Sequence, residues 1–376
     1  MFGAASQDLI KDNTSMASVR TDTRLRIPAQ QLRAVVARIF EACDLRSDAA
    51  ATVAEALVDA DMRGIPSHGV TLVSMYVERL QCGSVSRHPQ AKVVVDHGAI
   101  CVLDARDALG ILTGDQAMDI AVQRAGTHGV SLVVVRRAFH FGAAFRYVRR
   151  ACAAGTIGIA LANTRPLMPA PGGATAVVGN NPVAIGVPYR GREPIILDMA
   201  LSEAALGKIR LAAGEGRSIP DTWATDASGI PTTDPAEAIA GLLLPMGGPK
   251  GFGLALMVDV LTGVLSGGGS GAAVRGLYAD PTAPNDCAHA FIAIDPPSFG
   301  DERRFHAAVA RLAQQVTAST TAPEVDRVCL PGQVETERYA AARRDGVPVT
   351  PTVWRALEQA ALGVGVTLPP PEAGSR

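Results

Sequence analysis

Ser131-Leu132-Val133-Val134-Val135, a helical pattern over 143–153, and then Ile157-Gly158-Ile159-Ala160-Leu161 read as strand, helix and strand in quick succession. Both apolar runs are short and rich in β-branched residues, the signature of buried strands. Working outward, 92–95 and 100–103 flank His97-Gly98 as a hairpin. A helical pattern covers 116–124, and 183–187, 195–197 and 290–294 are further strands. Strand and helix alternate imperfectly. The expected fold class is therefore α/β with a mixed sheet, not a doubly wound parallel one.

The N-terminal third is helical. Leu32, Val35, Val36, Ile39 and Phe40 recur at helical spacing. Ser47 is the expected N-cap of a second helix that buries Val53, Leu57 and Val58. A third helix is expected to begin near His68, bury Val70, Val73, Val77 and Leu80, and stop at Gly83. Residues 251–265 are apolar nearly all round, which predicts a buried helix. A glycine loop at 267–271 follows it, then a surface helix over 305–316 and a last helix over 351–361. The expected organisation is a disordered extension (1–26), a helical domain made of 27–90 and 240–365, an inserted α/β domain (91–239) and a loose tail (366–376).

Composition narrows the function classes. Of 376 residues 48% are hydrophobic, enough for one large domain or two joined ones. Lys and Arg total 35 against 36 Asp and Glu, so no basic excess points to nucleic acid. Cysteines 43, 82, 101, 152, 287 and 329 are scattered, which suits reduced thiols in a cytoplasmic protein. No apolar run reaches membrane-spanning length, and the histidines lack the clustered partners of a metal site.

The chemistry gathers in glycine-flanked turns. Arg63-Gly64-Ile65-Pro66-Ser67-His68-Gly69 and His140-Phe141-Gly142 each present a histidine. No G-x-G-x-x-G follows a strand, so this is not a Rossmann fold. Separate turns can hold phosphates through backbone N–H groups instead. Lys250, after Gly247-Gly248-Pro249, is either a phosphate contact at a helix start or an ordinary loop end. His68 has the right unperturbed pKa, about 6.5, to give or take a proton near neutrality. His140 is either catalytic or a cofactor or substrate contact.

In their order along the chain these pieces resemble the malate/L-lactate dehydrogenase family of non-Rossmann type. That family also holds ureidoglycolate, sulfolactate, diketogulonate and cyclic ketimine oxidoreductases. The matching pieces include Ser67-His68-Gly69, Asn163-Thr164, Gly172-Gly173, Asn181-Pro182, Asp198-Met199-Ala200, Pro249-Lys250-Gly251 and Pro331-Gly332-Gln333. The resemblance spans about 27–350. It implies a homodimeric enzyme using NAD or NADP, with a helical part from both chain ends. Hydride would move between nicotinamide and a carbon beside a carboxylate. His68 would act as acid/base with Asp198 in support. Asn163 and Thr164 would contact the nicotinamide. Asp198, Met199, Ala200, Lys250, Gly332 and Gln333 would hold the dinucleotide.

One departure stands out. The family reads Ser-His-Gly-x-x-Arg, and its Arg pairs with the substrate carboxylate; here the place belongs to Leu72. On a continuous helix position 72 would face the same pocket as His68, beside Ser67. Leucine cannot make the bidentate pair. Either Arg165 supplies the cation, or the small-molecule substrate lacks that carboxylate. The default reaction is thus 2-oxo acid to 2-hydroxy acid. The alternatives are a cyclic imine reductase, a biosynthetic tailoring reductase and, more remotely, a non-catalytic cofactor-binding protein.

Overall fold

A computed structural model describes residues 24–369. Its centre is a seven-stranded mixed sheet. In chain order the strands of the fold are β1 (Leu25–Ile27), β2 (Lys92–His97), β3 (Ile100–Asp104), β4 (Val130–Ala138) and β5 (Ile157–Ala162). Then come β6 (Met168–Pro169), β7 (Ala176–Val178), β8 (Val183–Val187), β9 (Ile195–Met199), β10 (Cys287–Ile294) and β11 (Val347–Val349). The large sheet runs β2-β3-β4-β10-β5-β8-β9. Only β3 and β4 pair in parallel, across the helix Gly110–His128; every other neighbour is antiparallel.

Side-chain alternation explains why this sheet is buried on both sides. Val133 and Val135 of β4 pack with the helices Gly110–His128 and Phe145–Ala153, while Val134 points into a separate core on the opposite face. The helix Phe145–Ala153 sits very close to the sheet. Gly158 and Gly186 face each other across β5 and β8, and a Cβ on Gly158 would come within 2.6 Å of Ala151. No larger residue fits there without moving the helix.

The two chain ends build the third core, as expected. Leu32, Val36, Phe40, Leu57 and Leu80 pack with Val347, Trp354 and Leu357. Leu25–Ile27 pairs with Val347–Val349, so Leu25 and Arg26 lie in a strand, contrary to the expected extension. The rest of that extension, 1–23, lies outside the described residues, as does 370–376 of the tail. Val366 and Leu368 pack against the helical core and are not loose.

Three further expectations are corrected. First, the boundary at 239 does not describe the sheet, because β10 returns to fill the slot between β4 and β5. Strand–helix–strand was read rightly there, but its two strands are not neighbours. Second, Ser47 is the first residue of its helix, with no side-chain capping bond; Asp48 accepts from the Ala49 N–H instead. Third, the apolar segment is a helix, Pro249–Asp259, continued by a π-helical turn, Val260–Val264, but it is not buried. Ala255, Val258 and Thr262 face inward, whereas Met257, Leu261, Val264 and Leu265 are each more than two-fifths exposed. Its all-round apolarity reflects two surfaces, only one of which the single chain covers.

Candidate active site

Strands β4, β5, β9 and β10 deliver their ends to one cavity of about 830 Å³, in the upper range for small-molecule sites. His68 and His140 both line it, with their rings stacked at 5.4 Å. His68 does not start an α-helix. It ends a 3₁₀ turn, Pro66–His68, and Gly69 is extended before a second turn, Val70–Leu72. The α-helix begins only at Val73 and stops at Gly83, which takes the left-handed conformation expected of it. Breaking the helix at Gly69 removes the one-turn relation between positions 68 and 72. Leu72 is buried in the helical core and does not line the cavity.

Each imidazole is held by a neighbour. The Ser67 hydroxyl lies 3.0 Å from His68 Nδ1. Tyr76, on the helix Val73–Cys82, places its hydroxyl 2.7 Å from His140 Nδ1. Burial keeps that phenol protonated, and a buried O–H needs an acceptor. Tyr76 therefore donates to Nδ1, which leaves the neutral His140 ring carrying its hydrogen on Nε2. Burial lowers the His68 pKa to about 4. His140 is pushed well below its ordinary value by burial, then by His68 and His289. At neutral pH the pair is two uncharged imidazoles.

Asp61 was not anticipated. Its carboxylate lies under the His68 turn and accepts from the Val70 N–H at 2.7 Å. A Cβ at Gly69 would overlap that carboxylate, so glycine is needed there. The sequence signal was its place four residues after Leu57, on the inward face of its helix. Burial raises Asp61 to about 7. The folded state thus holds a proton that the unfolded chain has released, and stability falls as pH rises from about 4 to 7, by roughly 4 kcal/mol. Asp61→Asn keeps the acceptor without the charge. Thermal unfolding should show a smaller loss between pH 5 and pH 8 for this variant than for the native chain; an equal loss would assign the drop to another group.

The remaining expected residues divide. Asp198 lines the cavity, accepts the Phe145 N–H at 2.8 Å, and is raised to about 6 by burial and then by Glu335. The Asp198 side chain is open to the cavity, and no hydrogen bond joins it to His68. Thr164, Arg165, Met199, Ala200 and Gly332 also line the cavity. Asn163 does too, but its carboxamide is fully used. It donates to Asp259 and to the Gly269 carbonyl, both at 2.8 Å, and accepts the Ala288 N–H at 2.7 Å. It ties β5 and β10 to the apolar helix rather than facing a ligand. Lys250 is exposed and away from the cavity. Gln333 bonds to the Leu330 N–H and borders a separate groove. His289 lines the cavity, stacks on Phe141 at 4.7 Å and leaves Nδ1 without a partner among the described residues.

Comparison with known proteins gives a consistent result. The profile of the malate/L-lactate dehydrogenase family matches residues 27–358. The ureidoglycolate dehydrogenase (NAD(+)) of Escherichia coli strain K12 is 36% identical over 338 residues, covering 90% of this chain and 96% of that one. The solved sulfolactate dehydrogenase of Methanocaldococcus jannaschii superposes with a TM-score of 0.86 at 32% identity, covering 92% and 98% of the two chains. The delta1-piperideine-2-carboxylate reductase of Pseudomonas syringae pvar. tomato gives 0.79 at 26% identity, over 89% and 99%.

Proposed function

The chain belongs to the malate/L-lactate dehydrogenase family and is an NAD(P)-dependent oxidoreductase; from that premise we propose that it interconverts a 2-hydroxy acid and its 2-oxo acid, with His68 as acid/base. The observation that carries this reading is the stacked pair of neutral imidazoles on the cavity wall. In the oxidative direction His68 takes the proton of the substrate hydroxyl. His140, its hydrogen fixed on Nε2 by Tyr76, donates a hydrogen bond to the same oxygen. Reduction runs these roles backwards.

The site fits a dinucleotide. It is large, and it brings the Gly332 backbone so close to Ile196 that a Cβ would sit 2.9 Å from the Ile196 carbonyl oxygen. Thr164, Asp198, Met199, Ala200 and Gly332 would hold the cofactor. When bound, the nicotinamide supplies or accepts the hydride.

A second reading, reduction of a cyclic imine carboxylate, draws on the likeness to the piperideine-2-carboxylate reductase and on Leu72, which brings no cation to the site. Fluorescence titration with NADH and NADPH, followed by turnover assays with malate, sulfolactate, ureidoglycolate and piperideine-2-carboxylate, tests both. Cofactor binding without turnover on any of them would replace catalysis by a binding role.

The exposed leucine face of the 249–264 segment supports a homodimer, since so many bare aliphatic side chains on one helix mark an association surface. Sedimentation should give twice the chain mass, and Leu261→Glu should shift it towards monomer. A native chain that sediments as a monomer would remove the proposal. No helix among the described residues is long and apolar enough to cross a membrane.

A further inference from the structure

We propose that Arg165 and Arg210, with the Tyr278 hydroxyl beside them, form an anion subsite that grips a carboxylate or sulfonate of the substrate, the task an arginine at position 72 would otherwise perform. This rests on the reading of the cavity as a hydroxy-acid site.

Three separate segments converge there. Arg165 follows Thr164 at the end of β5, Arg210 sits on the helix Leu206–Glu215, and Tyr278 belongs to the loop before β10. All three line the cavity. Several arginines elsewhere in the fold are ion-paired, among them Arg146 with Asp115, Arg150 with Asp119 and Arg137 with Asp104. Arg275, on the same wall, faces Asp280 and Asp286. Among the described residues no carboxylate lies at ion-pair distance from Arg165 or Arg210. The Arg165 guanidinium donates to the Pro166 carbonyl, at a long 3.4 Å. Burial, and then Arg210, oppose the charge on Arg165. Two like charges on one wall repel; an anion between them reverses the sign of that interaction.

Arg165 is also held in place. The stem of Arg165 lies on Gly276, where a Cβ would be 2.9 Å from its Cδ. The loop carrying Gly276 and Tyr278 is clamped from below by Arg79, which donates to the carbonyls of Gly276, Leu277, Asp280 and Ala283. A guanidinium fork with fixed backing suits a planar carboxylate.

The position favours substrate over cofactor phosphate. Arg79 shares its helix with Tyr76, the partner of His140, so this wall belongs to the histidine side. Asp198 and Glu335, close enough to raise the Asp198 pKa, form an acidic stretch of wall. Carboxylates there suit ribose hydroxyls and oppose phosphates.

The test uses the full-length enzyme and needs no turnover. Tartronate and oxamate are titrated into the enzyme–NADH complex, read by nicotinamide fluorescence, for the native chain, Arg165→Ala, Arg210→Ala and Arg165→Lys. Each alanine variant should weaken both probes at least about tenfold, the lysine variant less, with NADH affinity within about twofold of native. Unchanged probe affinity overturns the subsite. So does a selective loss of NADPH over NADH, which would assign the arginines to the cofactor's 2′-phosphate. A native enzyme that binds neither probe also overturns it. Probe binding that depends on both arginines, in an enzyme with no turnover on any acid or imine, keeps the subsite and removes the proposed reaction.

Discussion

His68→Ala should lower turnover by about 10²–10⁴-fold, the usual contribution of a positioned acid/base, and leave NADH binding nearly unchanged. The separation of the two effects follows from geometry. His68 sits on a short 3₁₀ turn whose shape is fixed by Gly69 over Asp61, not by the imidazole itself. Removing the ring therefore takes away a proton acceptor without releasing the turn. The pH profile adds a second readout. With a pKa near 4, His68 is neutral and ready to accept a proton at every pH well above that value. For oxidation kcat/KM should thus rise with a midpoint near pH 4, far below the 6.5 of a free imidazole, and the variant should lose that limb. A further limb near 6 would belong to Asp198. Turnover equal to native would take His68 out of the mechanism. Loss of NADH binding along with turnover would make the residue structural.

How far the chain could be read in advance depended on whether a signal was local. Helices with one apolar stripe, such as Ala29–Glu41, and short valine-rich strands such as β4 were legible because periodicity is set by the element itself. The place of β10 was not, since 290–294 looks like any buried strand and only the assembled sheet shows the gap it fills. The apolar helix misled for a related reason: all-round apolar composition does not say which face the fold packs, and here one face stays exposed. In the site, His68 and His140 were found because glycine-flanked turns mark accessible histidines. Tyr76, Asp61 and His289 were missed because each sits among apolar neighbours on a regular element, where a polar residue carries no local mark. Asn163 was found for the wrong reason. Its motif placed it at the cavity, but its carboxamide is spent holding β5, β10 and the apolar helix together.

Arg79→Leu should be among the most destabilising single changes in the fold. The Arg79 guanidinium has almost no exposed surface and no carboxylate partner; its five hydrogen bonds all end on backbone carbonyls of one loop. Leucine fills part of the volume but leaves four carbonyl oxygens without their donor. Orphaning such groups costs about 1–3 kcal/mol each when they stay buried. The loop will relax towards water and recover some of that, so a net loss of roughly 3–5 kcal/mol is expected. For a chain of this size that lowers Tm by about 5 °C. Arg79→Lys should rescue little, because one ammonium has three donors at a single point and cannot span four carbonyls. The functional consequence separates this residue from an ordinary core arginine. Freed from its clamp, the loop no longer backs Arg165 or presents Tyr278, so at a temperature where the variant is still folded the Kd for tartronate should rise while NADH affinity holds. A variant with lowered Tm and native tartronate affinity would show that Arg79 supports the fold alone, and that the wall of the anion subsite is held by something else.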